Sequence, residues 1–318
     1  MKNKFYKITN KKEIHHGFVY KDGLNILDEE FISDTSGSCT SGGFYFTTLK
    51  YIDQYYNFGP NLRVIKLPYD DPELKIVEDP DHDKWKANKI ILCEKYSLFD
   101  FDTYQKFGLD IKKNKHIVDL ASLHGNVEFL NWWYWSGIEL EYSDYSLICA
   151  SGFGHTDVLE WWRSSRFKLK YSYVAIDYAS YMGHTTVLQW WFDSGLDMEY
   201  SSYSMDWASK NGKSDVLEWW LKCGLEIAYS EKAIDWASEG GHTHVLKWWK
   251  QSKLPLKYTA HSIDELSKNG HVGTLKWWIQ SGLKIKYTIK AIKNAVENKH
   301  TDILGWISFI ESPYNNLI

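Results

Sequence analysis

Apolar residues recur at helical spacing through most of the chain after about residue 93. In the segment HTDVLEWW, which begins at His155, the residues Val158, Leu159, Trp161 and Trp162 occupy positions i, i+1, i+3 and i+4. This spacing places them on one face of a helix, whereas a half-buried strand would alternate apolar and polar residues. The segment therefore predicts an amphipathic helix whose apolar face packs in a core.

The same helical pattern returns every 29 residues. Six Trp-Trp pairs and a final single tryptophan keep this spacing; they begin at Trp132, Trp161, Trp190, Trp219, Trp248, Trp277 and Trp306. Glycine, histidine and leucine columns align at the same period. Each unit predicts a first helix, a tight Gly-His turn, a second helix and a linker, which is the pattern of a solenoid of stacked helix pairs.

The Trp-Trp pairs are interpreted as structural. A unit of 29 residues has few other large side chains from which to build a core, and stacked repeats must bury their facing surfaces. In most units the second helix is followed by a glycine, which can adopt the left-handed backbone that ends a helix. Two units have Arg166 and Lys253 at this position, and we expect a strained residue there if the backbone is also left-handed.

Residues 1–92 lack the period and alternate β-favouring runs with Gly, Pro and Asp clusters. The β-favouring runs are 18–20, 44–47, 62–67 and 90–92, and the segment 51–58 predicts a helix. We therefore predict a mostly α protein in which a small α+β domain, residues 1–92, precedes the helical-pair solenoid. The solenoid is expected to occupy residues 93–318, with a capping half-repeat, six full repeats and a partial C-terminal repeat.

Composition narrows the class of partner. Lys and Arg total 37, Asp and Glu total 41, and only three of the basic residues are arginines. Sequence-specific nucleic-acid binding is disfavoured, since base and phosphate recognition rely on Arg side chains. No run of about 18 apolar residues predicts a membrane helix. The four separated cysteines indicate a reducing compartment, so we expect a cytoplasmic protein without a metal or cofactor site.

The unit A-S-x-x-G-H-T-D-V-L-E-W-W-x-x-S-G-L resembles the ankyrin repeat over residues 94–312. It departs from that family in its length, 29 rather than about 33 residues, and in carrying Asp where the family's T-P-L-H motif has His. The Trp-rich form, joined to a distinct N-terminal domain, is similar to the ankyrin repeat proteins of giant DNA viruses of the mimivirus type. The resemblance implies a non-catalytic protein–protein interaction scaffold that, if viral, acts on host proteins in the host-cell cytoplasm.

The expected partner is a protein whose identity the sequence does not give. Invariant columns of the solenoid are core residue types, so the variable positions are expected to be exposed and to bind. On the first helices these candidate binding positions are Tyr173, Val174, Ser202, Tyr203, Glu231, Lys232, Ala260 and His261. Acidic residues exceed basic ones in residues 93–240, and basic residues exceed acidic ones in residues 241–318, which adds weak head-to-tail self-association as an expectation.

An alternative function rests on the N-terminal domain. The order H-G from residue 16, G-L from residue 23 and GGFYFTTLKYIDQYYNFG from residue 42 is similar to motifs of ADP-ribosyltransferases of the poly-ADP-ribose polymerase type. This resemblance implies that His16 would hold the nicotinamide ribose and that Tyr45 would stack on nicotinamide. The catalytic Glu of that family has no clear counterpart, and Glu78 is the candidate.

Overall fold

The structure is a computed structural model that describes residues 4–33 and 41–311, with side chains described as far as residue 308. The chain folds as two compact units, residues 1–146 and residues 147–318. The predicted fold class is confirmed: a small sheet-containing region precedes a series of helix pairs. The predicted domain boundary at residue 92 falls within a strand, and the domain bounds stay a prediction.

The first unit contains an antiparallel sheet. In the described residues the strands of this unit are β1 Phe5–Thr9, β2 Ile14–His15, β3 Phe18–Val19, β4 Gly23–Ile26, β5 Phe44–Thr47, β6 Asn61–Lys66, β7 Ile76–Glu78, β8 Lys84–Ala87 and β9 Lys89–Ser97. Seven of them form one sheet in the order β4-β9-β6-β1-β5-β8-β7, and β2 pairs with β3. The helix predicted over residues 51–58 is a 3₁₀ helix, Ile52–Phe58.

Alternation along the strands explains the core of this sheet. Phe44 and Phe46 of β5 share a cluster with Phe5 and Ile65, because every second side chain of a strand points to the same face. The central strand β1 pairs with β6 at five consecutive registers but with β5 only at Tyr6 and Thr47. Beyond that single register the sheet has an opening between β1 and β5.

Helices follow the sheet. They are α1 Phe101–Phe107, α2 Ile117–Leu123, α3 Val127–Ser136, α4 Tyr145–Gly152, α5 Thr156–Ser164, α6 Tyr173–Met182, α7 Thr185–Asp193, α8 Tyr203–Lys210, α9 Ser214–Lys222, α10 Lys232–Glu239, α11 Thr243–Gln251, α12 His261–Asn269, α13 Val272–Gln280, α14 Ile289–Glu297 and α15 Thr301–Glu311, with a 3₁₀ turn at Ile111–Lys113. From α4 onward even numbers are the first helices of the pairs and odd numbers the second helices. In the second unit the first helices α6, α8, α10, α12 and α14 pack side by side in chain order.

A buried aspartate on each of several first helices is bonded to the start of the next first helix. The Asp206 carboxylate accepts hydrogen bonds from the Ser230 N–H at 2.9 Å and the Ser230 hydroxyl at 2.6 Å. The same hydroxyl accepts from the N–H of Lys232, the first residue of α10. Burial raises the pKa of Asp206, and the Ser230 hydrogen bonds oppose that change. Equivalent bonds join Asp119 to Ser143, Asp177 to Ser201, Asp235 to Thr259 and Asp264 to Thr288.

The two tryptophans of each pair have different environments. The second is buried in every pair, as at Trp191, with 0% of its surface exposed, and its indole N–H donates to the Ser151 hydroxyl at 3.0 Å. Three further bonds of this kind join Trp220 to Ser180, Trp249 to Ser209 and Trp278 to Ser238. The first tryptophan is partly exposed. Trp190 donates to Glu160, 30 residues earlier, and Trp219 donates to Gln189.

The glycine of the tight turn is required by the neighbouring repeat as well as by the backbone. Gly241 has a φ of 72°, and a Cβ atom there would lie 2.7 Å from the Nδ1 atom of His271 in the following turn. A side chain at this position would therefore be strained and would also collide with the imidazole. The Gly and His columns of the sequence therefore contact each other, with the glycine of one turn packing against the histidine of the following turn.

The row of Trp–Ser bonds ends at the last repeat. Ile307 occupies the column of the buried tryptophans, and the Ser267 hydroxyl is buried without a hydrogen-bond partner among the described side chains. We predict that Ser267→Ala leaves the free energy of unfolding unchanged or raises it, since a buried unpaired hydroxyl is unfavourable. The matched change Ser209→Ala should lower it by about 1–3 kcal/mol, because the Trp249 N–H loses its acceptor. Urea unfolding of the full chain measures both, and equal losses would contradict the assignment.

The two units without a C-terminal glycine differ in backbone. Lys253 has a φ of 64°, like the glycines of the same column, whereas the residue before Arg166 is extended and Arg166 is not left-handed. We predict that Lys253→Gly stabilises the chain by up to about 1 kcal/mol, because glycine adopts positive φ without strain. Arg166→Gly should be neutral or destabilising. Thermal unfolding of both variants tests this, and a stabilised Arg166 variant would oppose it.

Candidate functional site

The candidate binding positions lie in the first turns of successive first helices. Tyr173 begins α6, and Ser202, Glu231 and Ala260 directly precede α8, α10 and α12. Each is followed by one of the others, namely Val174, Tyr203, Lys232 and His261. All eight are partly or fully exposed, with Tyr173 48% exposed. The structure therefore aligns them along the packed first helices of the second unit.

Some of these side chains contact each other across repeats. The Lys232 Nζ atom donates to the Tyr203 hydroxyl at 3.1 Å and lies 4.9 Å from the centre of its ring. His261 contacts the Glu239 carboxylate of the previous first helix at 3.2 Å instead. The candidate positions therefore form more than one local cluster.

Two residues that contact Tyr203 were not among the positions predicted from the sequence. Trp207 stacks on Tyr203 with ring centres 4.8 Å apart, and Trp236 lies parallel to Tyr203 at 6.4 Å. Both tryptophans are partly exposed. They share a 29-residue column with Tyr178, and three aromatic residues in one otherwise variable column were the signal that could have identified them.

A second candidate site is a cavity of about 570 Å³ in the first unit. It lies at the opening between β1 and β5, and His16 and Tyr45 both line it. Tyr55 and Phe58 of the 3₁₀ helix add aromatic walls. The volume is in the range of cavities that hold small molecules. The two residues that the ADP-ribosyltransferase resemblance singled out are thus brought together.

Burial shapes the charges at this cavity. Lys7 is 6% exposed and donates to the Tyr45 carbonyl at 2.8 Å, and burial lowers its pKa to about 8. His15 lies against His16, with ring centres 4.1 Å apart. The pKa of His15 is lowered to about 4. Burial is the largest cause, and the positive charges of the nearby Lys7 and His16 add to it. The cavity lining therefore combines two buried ammonium groups, those of Lys7 and Lys84, with the His15 imidazole, which is uncharged at neutral pH.

The acidic residues near the cavity do not match the ADP-ribosyltransferase assignment. Glu78 is at the end of the edge strand β7 and is not among the described residues that line the cavity, whereas Glu29 is. Asp79, Asp81 and Asp83 cluster nearby, but the Lys84 ammonium lies 3.1, 3.7 and 3.1 Å from their respective carboxylates. This single ammonium offsets part of the negative charge of the acidic cluster.

Several curated proteins of one virus are similar to this chain. Two putative ankyrin repeat proteins of Acanthamoeba polyphaga mimivirus are each 40% identical to the chain, over 129 residues (40% of this chain) and 143 residues (44%). The chain spans 64% and 43% of their lengths. An uncharacterized protein of the same virus is 45% identical over 115 residues, which are 35% of this chain and 83% of that protein.

No protein-family model matches the chain. The crystal structure of the human ASB11 ankyrin repeat domain aligns with a TM-score of 0.46 at 13% identity, over 60% of this chain and 97% of that domain. Across residues 4–33 and 41–311, none of the helices combines the length and apolar character needed to span a bilayer.

The lowered pKa of His15 makes the stability of the first unit dependent on pH. The unfolded chain binds a proton at a His pKa of about 6.5, above the value of about 4 in the folded chain. The contribution of His15 to stability is therefore complete above pH 6.5 and is lost as the pH falls through about 4. We predict a smaller loss of stability between pH 7 and pH 4 in His15→Gln. A histidine NMR resonance titrating near pH 4 and absent from this variant would identify the group; a midpoint near 6.5 would contradict it.

Proposed function

This chain belongs to the family of mimivirus ankyrin repeat proteins, and from that premise we propose that it binds host proteins through the first turns of its first helices. The family indicates a protein-interaction repeat scaffold. The finer parts of the proposal are the host partner, the cytoplasm of the infected amoeba as its location and the eight named positions as the surface.

One contrast carries the proposal. The columns that hold the repeats together keep Asp, Ser and Trp in most units, and these residues are buried. The column of Tyr173, Ser202, Glu231 and Ala260 lies beside them and changes in size, charge and polarity at every step, while staying accessible. A constant frame with a varied exposed column is what a surface shaped for one particular partner requires.

We predict that changing this column together with His261 of the adjacent column removes partners without unfolding the repeats. The test variant combines Tyr173→Ser, Glu231→Lys and His261→Glu. The control combines Phe192→Ser, Lys222→Glu and Gln251→Glu, which are exposed on or at the ends of second helices. Quantitative affinity capture from amoebal lysate should recover partners with the wild type and the control but at most one tenth as much with the test variant.

Equal recovery by both variants, with unchanged thermal unfolding, would rule out the named surface. Light scattering of the wild type at low and high salt reports on head-to-tail self-association, which should weaken as salt screens the opposite charges. A monomer at both salt concentrations would remove self-association from the proposal.

The cavity in the first unit supports a second candidate function, ADP-ribosyl transfer from NAD to a bound target. The observation that favours it is that His16 and Tyr45, 29 residues apart in the sequence, line the same cavity. Their roles, holding the ribose and stacking on nicotinamide, are those that the resemblance implies. The position of Glu78 away from the cavity lining argues for the non-catalytic scaffold as the leading function.

Labelled NAD distinguishes the two functions. If the chain is an enzyme, label enters lysate proteins with the wild type and falls at least about tenfold with His16→Ala or Tyr45→Ala, as expected for loss of a substrate-contacting group. Tyr69→Ala, at an exposed position away from the cavity lining, is the control and should retain the incorporation. Absence of incorporation by the folded wild type would leave the scaffold as the function.

A further inference from the structure

A continuous strip of aromatic rings crosses the first helices of the second unit. Successive ring centres are 6.1, 6.1, 5.8, 4.8 and 6.4 Å apart along the order Phe153, Tyr178, Tyr181, Trp207, Tyr203 and Trp236. Phe153 is 43% exposed, and the other five rings are partly exposed. We call these six residues the aromatic strip. Clustered, partly exposed Tyr and Trp side chains are typical of the anchor points of interfaces.

Three rings of the aromatic strip recur at the same position in consecutive repeats. Tyr178, Trp207 and Trp236 occupy the same column in three consecutive repeats, on helices α6, α8 and α10. Packed helices have axes about 8–10 Å apart, so these rings recur at about that spacing. A polyproline II segment has three residues per turn and a rise of about 3.1 Å per residue, which gives about 9.3 Å per turn. The two periods match.

We propose that the aromatic strip binds a proline-rich protein segment in the polyproline II conformation, with one proline of every three facing one ring of the Tyr178–Trp207–Trp236 column. Proline rings pack on aromatic faces, and the segment is already extended when free, so little conformational entropy is lost on binding. This proposal rests on the proposed scaffold function and names the chemistry of its partner.

Charge gives the segment a direction. Lys210 and Lys232 place their ammonium groups 4.9 and 5.4 Å from the centre of the Trp236 ring. Neither lysine has a carboxylate partner within 4.0 Å in the described part of the chain. Both cations are therefore available at one end of the strip. The end of the segment that lies over Trp236 should carry Asp or Glu.

A polyanion fits this surface less well than a protein segment does. Stacked aromatic rings with lysines also bind single-stranded nucleic acid. However, residues 147–240 of the same unit contain 13 Asp and Glu against 8 Lys and Arg, so the surroundings of the strip repel a chain of phosphates. A short segment with acidic residues at one end only avoids most of this repulsion.

The test uses the full chain and dye-labelled peptides of about four polyproline turns, about 12 residues. One set has proline at every third position, with two Glu residues at the N-terminal or the C-terminal end or at neither. A shuffled set has the same composition without the period. Fluorescence polarisation should show that the best periodic peptide binds about tenfold more tightly than its shuffled form.

Matched variants assign the site. Asn294 occupies the strip column in α14, so Trp207→Asn places a residue that the frame already accepts there. It should weaken the periodic peptide about tenfold or more, whereas Trp219→Asn on the second helix α9 should not. Lys232→Glu should weaken only the peptides with Glu at the matching end.

Equal affinity for periodic and shuffled peptides, or an unchanged affinity in a folded Trp207→Asn variant, would overturn the proposal. Tighter binding of a helical peptide with leucine at every seventh position, or of single-stranded DNA, would also overturn it. Because the capture experiment changes other residues, loss of partners in that experiment together with failure of all the peptides would refute the polyproline segment while supporting the scaffold.

Discussion

The structure of the repeats depends on how a buried carboxylate is compensated. Moving an aspartate out of water is strongly unfavourable unless hydrogen bonds replace its hydration. Here the compensating groups include the N–H and hydroxyl of the Ser or Thr just before the next first helix, as at Asp206 and Ser230. In three repeats a serine within that helix adds a second hydroxyl, as Ser204 does at Asp177. The carboxylate is therefore satisfied only when the following helix begins at the right residue. This requirement fixes the position of the first turns, which present the candidate binding surface.

Much of the fold could be predicted because residues that recur at a fixed period mark the same helix or turn in every repeat. Columns of Gly, Leu and Trp at 29-residue spacing identified the helix pairs and their turns without any structural information. The role of the aspartates could not be predicted in the same way, since the sequence shows only that Asp stands where the ankyrin family has His. Their partners lie 24 residues away in the next repeat, and only the packing of first helices brings them together.

The first unit shows the opposite situation. Its central strand β1 has the sequence FYKIT, and Lys7 within it reads as a surface residue, so no strand was predicted there. In the structure Lys7 is buried beside the cavity. For the candidate site, variability identified Tyr203 and Lys232, but Trp207 and Trp236 were missed, because only the tryptophans of the Trp-Trp pairs were interpreted. Whether a ring is buried depends on its helix face, which the count of tryptophans does not reveal.

Four buried tryptophans donate to a serine 40 residues earlier, and these bonds have a consequence for how such a chain can change in length over evolution. Each of the three inner units of this series carries the indole donor for the unit before it and the hydroxyl acceptor for the unit after it. A duplication or deletion of one whole unit in the gene thus restores every bond at the junction. An insertion of another length within one of these helices would separate donors from acceptors. Hydrogen bonding alone therefore favours changes of length by whole 29-residue units. The exposed columns of an added unit are then free to diverge.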